Sequence, residues 1–129
     1  MKYLRSYTGA DGETHFDNQE TELAPLEFIP GMPLMDVSAA TPTKAAVFAS
    51  LQAGWYGDYH PTPRRQFVFT IAGEAKVTVS DGETRRMTPG TVWLTEDTKG
   101  KGHLARVTDA GDWLIALVWL ADRVTERQA

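Results

Sequence analysis

Two of the three histidines in this chain stand where an imidazole can do chemistry. The stretch "GDYHPTPRRQFVFTIAG" (57–73) sets His60 directly before Pro61 and runs on into an alternating apolar segment. Pro61 and Pro63 restrict His60 and Thr62 to extended backbone, so alternation puts Asp58, His60 and Thr62 on one face. An imidazole titrates near neutral pH, which suits a metal ligand or a general base. The plainer reading is a loop histidine in solvent. His103 opens "HLARVTD" (103–109), sharing its face with Ala105 and Val107 while Arg106 lies on the other. Gln66 begins the apolar strand on its inward face. It is either a core amide bonded to backbone or a group whose carbonyl oxygen orients a substrate or reaches a metal. His15, in "GETHFDN", has no partner signal and reads as a surface histidine.

Aromatic residues cluster around these groups. Trp55, Tyr56 and Tyr59 precede His60, and Trp93 lies on a later hairpin. Aromatics usually fill a core, but Trp55, Tyr59 and Trp93, with Thr62, are expected to line an apolar pocket for a small organic substrate. Arg64 and Arg65 are either carboxylate binders or solvated turn charges. The segment "TKGKGH" (98–103) lacks the Gly-x4-Gly-Lys-Ser/Thr order of a phosphate loop and reads as a loop at the mouth of the domain.

The elements that must position these residues are strands. The runs 43–54, 66–73, 74–82, 91–97, 103–109 and 112–120 are short, rich in β-branched and aromatic residues, and bounded by Gly, Pro or Asp. That pattern predicts an all-β sandwich or barrel. Asp81-Gly82 predicts a tight hairpin with both central residues at positive φ, and Pro89-Gly90 predicts the next turn. The segment 21–44 carries Pro25, Pro30, Pro33 and Pro42, so its backbone cannot donate freely to a central ladder. An early strand over 22–28 is expected, followed by an extended piece wrapped on the outside of the barrel. Leu23, Leu26, Phe28, Ile29 and Leu34 are too apolar for a disordered leader.

Composition bounds the function. A chain of 129 residues is one domain with room for a core. Its formal charge of −4 (13 basic, 17 acidic residues) argues against a nucleic-acid footprint. With no cysteine, a metal would have to take histidine, oxygen ligands or water. The opening "MKYLRSYTGADGE" is not a signal peptide, and "WLIALVWL" (113–120) is too short to span a bilayer. A cytoplasmic address without membrane contact is expected.

The stretches 57–73 and 82–107 resemble the two motifs of the cupins. The first motif has the form G-x5-H-x-H-x3,4-E-x6-G; here His60 matches its first histidine, Thr62 replaces the second, Gln66 stands at the glutamate and Gly73 at the turn glycine. The second has the form G-x5-P-x-G-x2-H-x3-N; here Gly82, Pro89-Gly90 and, after a longer loop, His103 match it. The resemblance implies a double-stranded β-helix, a jelly-roll barrel. On that basis 1–43 is an N-terminal strand and wrapping segment, 44–120 the jelly-roll core and 121–129 a polar tail. It also implies a barrel pocket with one divalent transition metal (Fe, Mn, Ni or Zn) on His60, Gln66 and His103. A neutral set of this kind holds a dication weakly, because Thr62 cannot replace an imidazole.

Three readings of function stay open. One is an enzyme with a weakly held metal that polarises a substrate oxygen or activates water or O2. Another is a metal-free isomerase, epimerase, cyclase or lyase with His60 or His103 as catalytic base. The last is a small-ligand-binding module without chemistry. A homodimer is expected as well. If Gln66 faces inward, Phe67, Phe69 and Ile71 face outward, and an apolar outer face is uncommon on a monomer.

Overall fold

The computed structural model describes residues 1–123; the last part of the expected polar tail, 124–129, lies outside the described residues. The described chain is all strand: β1 (Lys2–Thr8), β2 (Thr14–Glu20), β3 (Ala24–Leu26), β4 (Met35–Val37), β5 (Thr43–Leu51), β6 (Tyr56–His60), β7 (Gln66–Ala72), β8 (Ala75–Val79), β9 (Thr84–Met87), β10 (Val92–Glu96), β11 (His103–Val107) and β12 (Trp113–Leu120). Six strands form one sheet in the order β2-β1-β10-β7-β12-β5, and four form a second in the order β6-β11-β8-β9. No helix among the described residues is long and apolar enough to cross a membrane.

Period-two alternation builds the core between the sheets. Ala75, Val77 and Val79 of β8 are fully buried while Lys76 and Thr78 are only partly so. From β11, Ala105 and Val107 join them; from the larger sheet come Leu4, Phe16, Val68, Trp93, Trp113 and Ile115. The expected faces of β7 are found: Val68 and Thr70 are 4% and 5% exposed, whereas Ile71 on the other face is 47% exposed. Closure of the larger sheet depends on β1, which pairs in parallel with β10, Leu4 opposite Trp93 and Ser6 opposite Thr95.

Three features depart from the sequence reading. First, the strands β1 and β2 form a hairpin ahead of the early strand expected over 22–28. Their inward faces include Ser6 and Thr14, so the apolar alternation that marks a strand is interrupted. Second, the Asp81-Gly82 turn has one positive φ, at Gly82 (99°), not two. Ser80, Asp81 and Gly82 form a three-residue loop closed by the Val79 N–H to Glu83 O bond of 2.9 Å, and in such loops only the last residue is left-handed. Third, residues 22–36 are exposed and do not wrap the barrel. β3 and β4 pair with each other as an isolated hairpin, Pro25 opposite Asp36. Proline confines β3 to an edge.

His15 is more than a solvated side chain. Its Nδ1 lies 2.7 Å from Asp81 Oδ2 and its Nε2 2.9 Å from Asp11 Oδ2, which ties the β1–β2 loop to the β8–β9 loop. The Asp81 and Asp11 carboxylates raise the His15 pKa above the ordinary imidazole value. The Glu13 backbone N–H and the His15 ring lower that of Asp11. The clamp therefore stabilises the fold in a window. Its histidine part is full below the unfolded imidazole pKa and is lost as pH rises through the folded value; its Asp11 part is lost in acid. His15→Gln should lower the melting temperature most near about pH 5.5, and the gap to the parent should narrow by about pH 9. Melting curves of both proteins across that range measure it; a gap independent of pH would show that the ring charge contributes nothing.

Candidate functional site

Between the two sheets lies a cavity of about 130 Å³. Its floor is apolar, made by Val68 of β7, Leu51 of β5, and Ile115 and Leu117 of β12. Trp113 is held against that floor by its indole N–H, which donates to Thr70 Oγ1 at 3.1 Å. At the opposite end stand His60, Thr62, Gln66, Thr95 and His103, with Trp55 and Pro63 at the rim. Among the described residues, no Asp, Glu, Lys or Arg lines the cavity.

The two histidines come together through strand pairing. β6 and β11 run antiparallel with His60 opposite His103, and the ring centroids are 4.9 Å apart. This approach requires Gly102. Its φ is +73°, and a Cβ there would sit 2.0 Å from the His60 carbonyl oxygen, so any side chain would push β6 away.

Each ring is oriented from behind. His60 Nδ1 lies 2.7 Å from the Asp58 backbone oxygen, which can only accept, so Nδ1 carries the proton. His103 Nδ1 lies 2.6 Å from Asp97 Oδ2. Asp97 is 0% exposed, and its other oxygen, Oδ1, accepts from Ser6 Oγ at 2.7 Å. Ser6 in turn accepts the Trp93 indole N–H at 2.9 Å. With the proton on Nδ1, the neutral form of each imidazole presents Nε2 as a lone-pair acceptor. Two acceptors side by side ask for a donor from the ligand, such as a hydroxyl, an amine or a water.

Most of the residues singled out in the sequence meet here: His60, Gln66 and His103, with Trp55, Thr62 and Trp93. Their roles differ from expectation at two positions. Tyr59 does not line the cavity and is 41% exposed, because alternation turns it away from the face of His60. The Thr62 hydroxyl is 2.9 Å from the Arg64 carbonyl and 3.1 Å from Thr95 Oγ1, so it is occupied by the protein itself. Arg65 pairs with Glu96 at 2.7 Å, and Arg64 stacks over Trp119 at 3.8 Å. Sequence reasoning missed Asp97 and Ser6. The signal for Asp97 was available: Trp93, Thr95 and Asp97 alternate on one inward face of β10 and its extension.

A metal ion was expected on His60, Gln66 and His103, and the donors fit one poorly. The set is two imidazoles and one amide oxygen, without an anion. The nearby carboxylate, Asp97, is already bonded to His103 Nδ1 and to Ser6. No group of three His, Cys, Asp or Glu among the described residues is arranged to hold an ion. A dication prefers such ligands over neutral oxygen donors.

Asp97→Asn tests the orienting role. Asparagine has one acceptor oxygen for two donors, Ser6 and His103, so one buried donor is left unpaired or its bond reverses. Unfolding free energy in urea should fall by about 1–3 kcal/mol. Nitrogen NMR of the parent should show His103 protonated at Nδ1 at neutral pH, and the variant should populate the other tautomer. An unchanged tautomer in Asp97→Asn would remove Asp97 from the account.

No family profile matches the sequence, and no curated protein matches it. Solved structures do match the fold. The cupin domain of Schizosaccharomyces pombe Cnp3 aligns with 99% of this chain and 88% of its own at 13% identity, TM-score 0.52. KdgF from a Halomonas species aligns with 80% of this chain and 90% of its own at 23% identity, TM-score 0.50. A Cupin 2 conserved barrel domain protein from Salinispora arenicola aligns with 84% of this chain and 83% of its own at 15% identity, TM-score 0.50. The chain spans 65% of the length of one further match, a Streptococcus pyogenes protein of unknown function. At these identities the likeness speaks for the fold alone. The two facing sheets and the matching structures together show that this chain has the fold of a cupin-type jelly-roll barrel.

Proposed function

We propose that the cavity binds a small, uncharged organic molecule carrying an O–H, N–H or acidic C–H bond, and that His103 acts on it as a general base without a metal. The observation that carries this reading is the Asp97–His103 pair at the polar end of an otherwise apolar cavity. A cavity of about 130 Å³ is close in size to one that takes a single aromatic ring, about 150 Å³. The absence of charged lining side chains disfavours a carboxylate or phosphate, which would be buried unpaired.

The chemistry follows from the bonding. Nε2 of His103 takes a proton from the ligand, and Asp97 stabilises the imidazolium that forms. The His103 imidazolium then delivers that proton to a second atom of the ligand, or to its leaving group, while Nε2 of His60, 4.9 Å away between ring centroids, accepts a hydrogen bond that holds the ligand in place. A proton removed at one atom and delivered to another of the same molecule is an isomerisation; expulsion of a leaving group makes the same step an elimination. Such a base contributes about 10²–10⁴-fold.

The test is a thermal-shift screen of small neutral hydroxy, keto and cyclic compounds, followed by turnover assays on the hits in deuterated buffer. Turnover should survive a chelator, incorporate solvent deuterium, and fall about 10²–10⁴-fold in His103→Gln while binding persists. Elemental analysis of the purified protein should find metal well below one equivalent. Ligands that bind without reacting would make the protein a binding module, and activity that disappears with chelator would restore the metal reading.

A further inference from the structure

We propose that Gln66 is a catalytic residue of the cavity, acting from the larger sheet while His103 acts from the smaller one. Its side-chain amide donates to the carbonyl oxygen of a small, uncharged α-hydroxy ketone, and His103 removes the proton from the carbon that bears the hydroxyl. The inference rests on the general-base reading above and narrows its substrate to one chemical class.

The amide is the polar group that the site leaves unused. Gln66 lines the cavity, and among the described residues its side chain makes no hydrogen bond. Its neighbours are engaged within the protein. The Thr62 hydroxyl donates to the Arg64 carbonyl at 2.9 Å. Thr95 Oγ1 lies 3.1 Å from Thr62 Oγ1 and 3.3 Å from the Gln66 backbone oxygen. The Trp93 and Trp113 indoles donate to Ser6 and Thr70. Both imidazoles direct Nδ1 away from the cavity, His60 to the Asp58 backbone and His103 to the Asp97 carboxylate. Behind the rim residues Trp55 and Pro63, two imidazole lone pairs and one amide are left for a guest.

The fold holds that amide opposite the imidazoles. β7 is a central strand, paired with β10 on one side and β12 on the other. Gln66 has Thr95 and Trp119 as register neighbours. A group carried on an inner strand is positioned more precisely than one on a loop. His60 and His103 belong to β6 and β11 of the smaller sheet, so a guest between the sheets meets lone pairs on one side and the amide on the other. Those lone pairs favour the amide orientation that turns its NH2 group, with two donors, into the cavity.

Three requirements then fall on the guest. It must give a proton to His103 Nε2, donate a hydrogen bond to His60 Nε2 and accept one from Gln66 Nε2. An alcohol with a hydrocarbon remainder serves the imidazoles but leaves the amide desolvated and unpaired, which is unfavourable. A simple ketone serves the amide but offers His60 no donor. An α-hydroxy ketone meets all three through its C–H, O–H and C=O bonds.

The step balances within the site. His103 Nε2 takes the proton from the carbinol carbon. The C–H electron pair becomes the C=C bond of an enediolate, and the carbonyl π pair moves to oxygen. Negative charge develops on that oxygen, where the bond from Gln66 strengthens; one donor so placed contributes about 10²–10³-fold in rate. Return of the proton to the same carbon exchanges or racemises the ligand. Return to the former carbonyl carbon, with the hydroxyl proton passing to the oxyanion, gives the isomeric hydroxy ketone.

Acetoin is the probe. In deuterium oxide with a chelator present, the protein should exchange the carbinol hydrogen of (R)-acetoin and racemise it above the uncatalysed rate, followed by proton NMR and chiral chromatography. Gln66→Met keeps the length of the side chain and removes its N–H. Gln66→Leu is a second such variant, and circular dichroism with melting curves checks the fold of both. Exchange should fall about 10²–10³-fold in each. The acetoin dissociation constant from NMR titration should rise by no more than about tenfold, the share of one neutral hydrogen bond. His103→Gln should lower exchange about 10²–10⁴-fold. Exchange that falls in His103→Gln but in neither Gln66 variant overturns the role of Gln66 and leaves the general base standing. A loss of binding as large as the loss of rate also overturns it, because the amide then serves binding alone. A parent that exchanges no acetoin overturns the substrate class, and turnover of other compounds then decides the base reading separately. Exchange that persists in His103→Gln overturns both.

Discussion

One buried carboxylate holds the mouth of the barrel together. Asp97, at the end of β10, accepts from Ser6 of the neighbouring strand and bonds His103 across the gap to the other sheet. Its backbone oxygen accepts from the Thr62 N–H at 2.9 Å, fixing the segment that follows His60. Burial of a carboxylate is unfavourable unless its oxygens are bonded, and here both are. Together these bonds join three regions distant in sequence, around Ser6, Thr62 and the 97–103 segment. The chain from the Trp93 indole through Ser6 to Asp97 extends this order into the aromatic core, and linked hydrogen bonds of this kind strengthen one another.

How the site departs from the fuller cupin motif is also explained by this network. Thr62 stands where another imidazole would stand, and its hydroxyl turns to Thr95 and the Arg64 carbonyl. The hydroxyls of the polar end are thereby bonded within the protein, and the two imidazoles are left oriented by Asp58 and Asp97. Pre-orientation matters more than number here: an imidazole held in one tautomer loses little freedom when it engages a ligand.

Legibility in the sequence followed locality. β5, β7, β8, β10, β11 and β12 showed themselves because each is a short run rich in β-branched and aromatic residues bounded by Gly, Pro or Asp. His60, Gln66 and His103 could be read as pocket residues because motif spacing and alternation are local signals. Ser6 and Asp97 could not be paired that way; they are 91 positions apart, and nothing near Ser6 distinguishes a buried serine from a solvated one. Tyr59 was misplaced because aromatic clustering was weighed above the alternation that correctly placed His60. The β3–β4 hairpin shows a third kind of limit. Leu26, Phe28 and Leu34 marked the segment as apolar, but the sequence does not show that β3 and β4 pair with each other and leave these side chains exposed. Pro25 and its neighbours kept the segment off its own barrel.

The parallel pairing of β1 with β10 sets the order in which this barrel can assemble. Leu4 meets Trp93, and Tyr7 meets Glu96, so most of the chain intervenes between the partners. During synthesis the β1–β2 hairpin leaves the ribosome early and waits, with one strand edge unsatisfied, until β10 has followed it out. Loop closure over that separation is entropically unfavourable before any contact rewards it, and topologies of this kind fold slowly. Of the four buried positions of the waiting hairpin, two carry hydroxyls, Ser6 and Thr14, and two are apolar, Leu4 and Phe16. A strand edge of that character is a poor template for its own kind. The two hydroxyl residues that hid these strands from pattern reading therefore also make the waiting hairpin less apolar until its late-arriving neighbour completes the sheet.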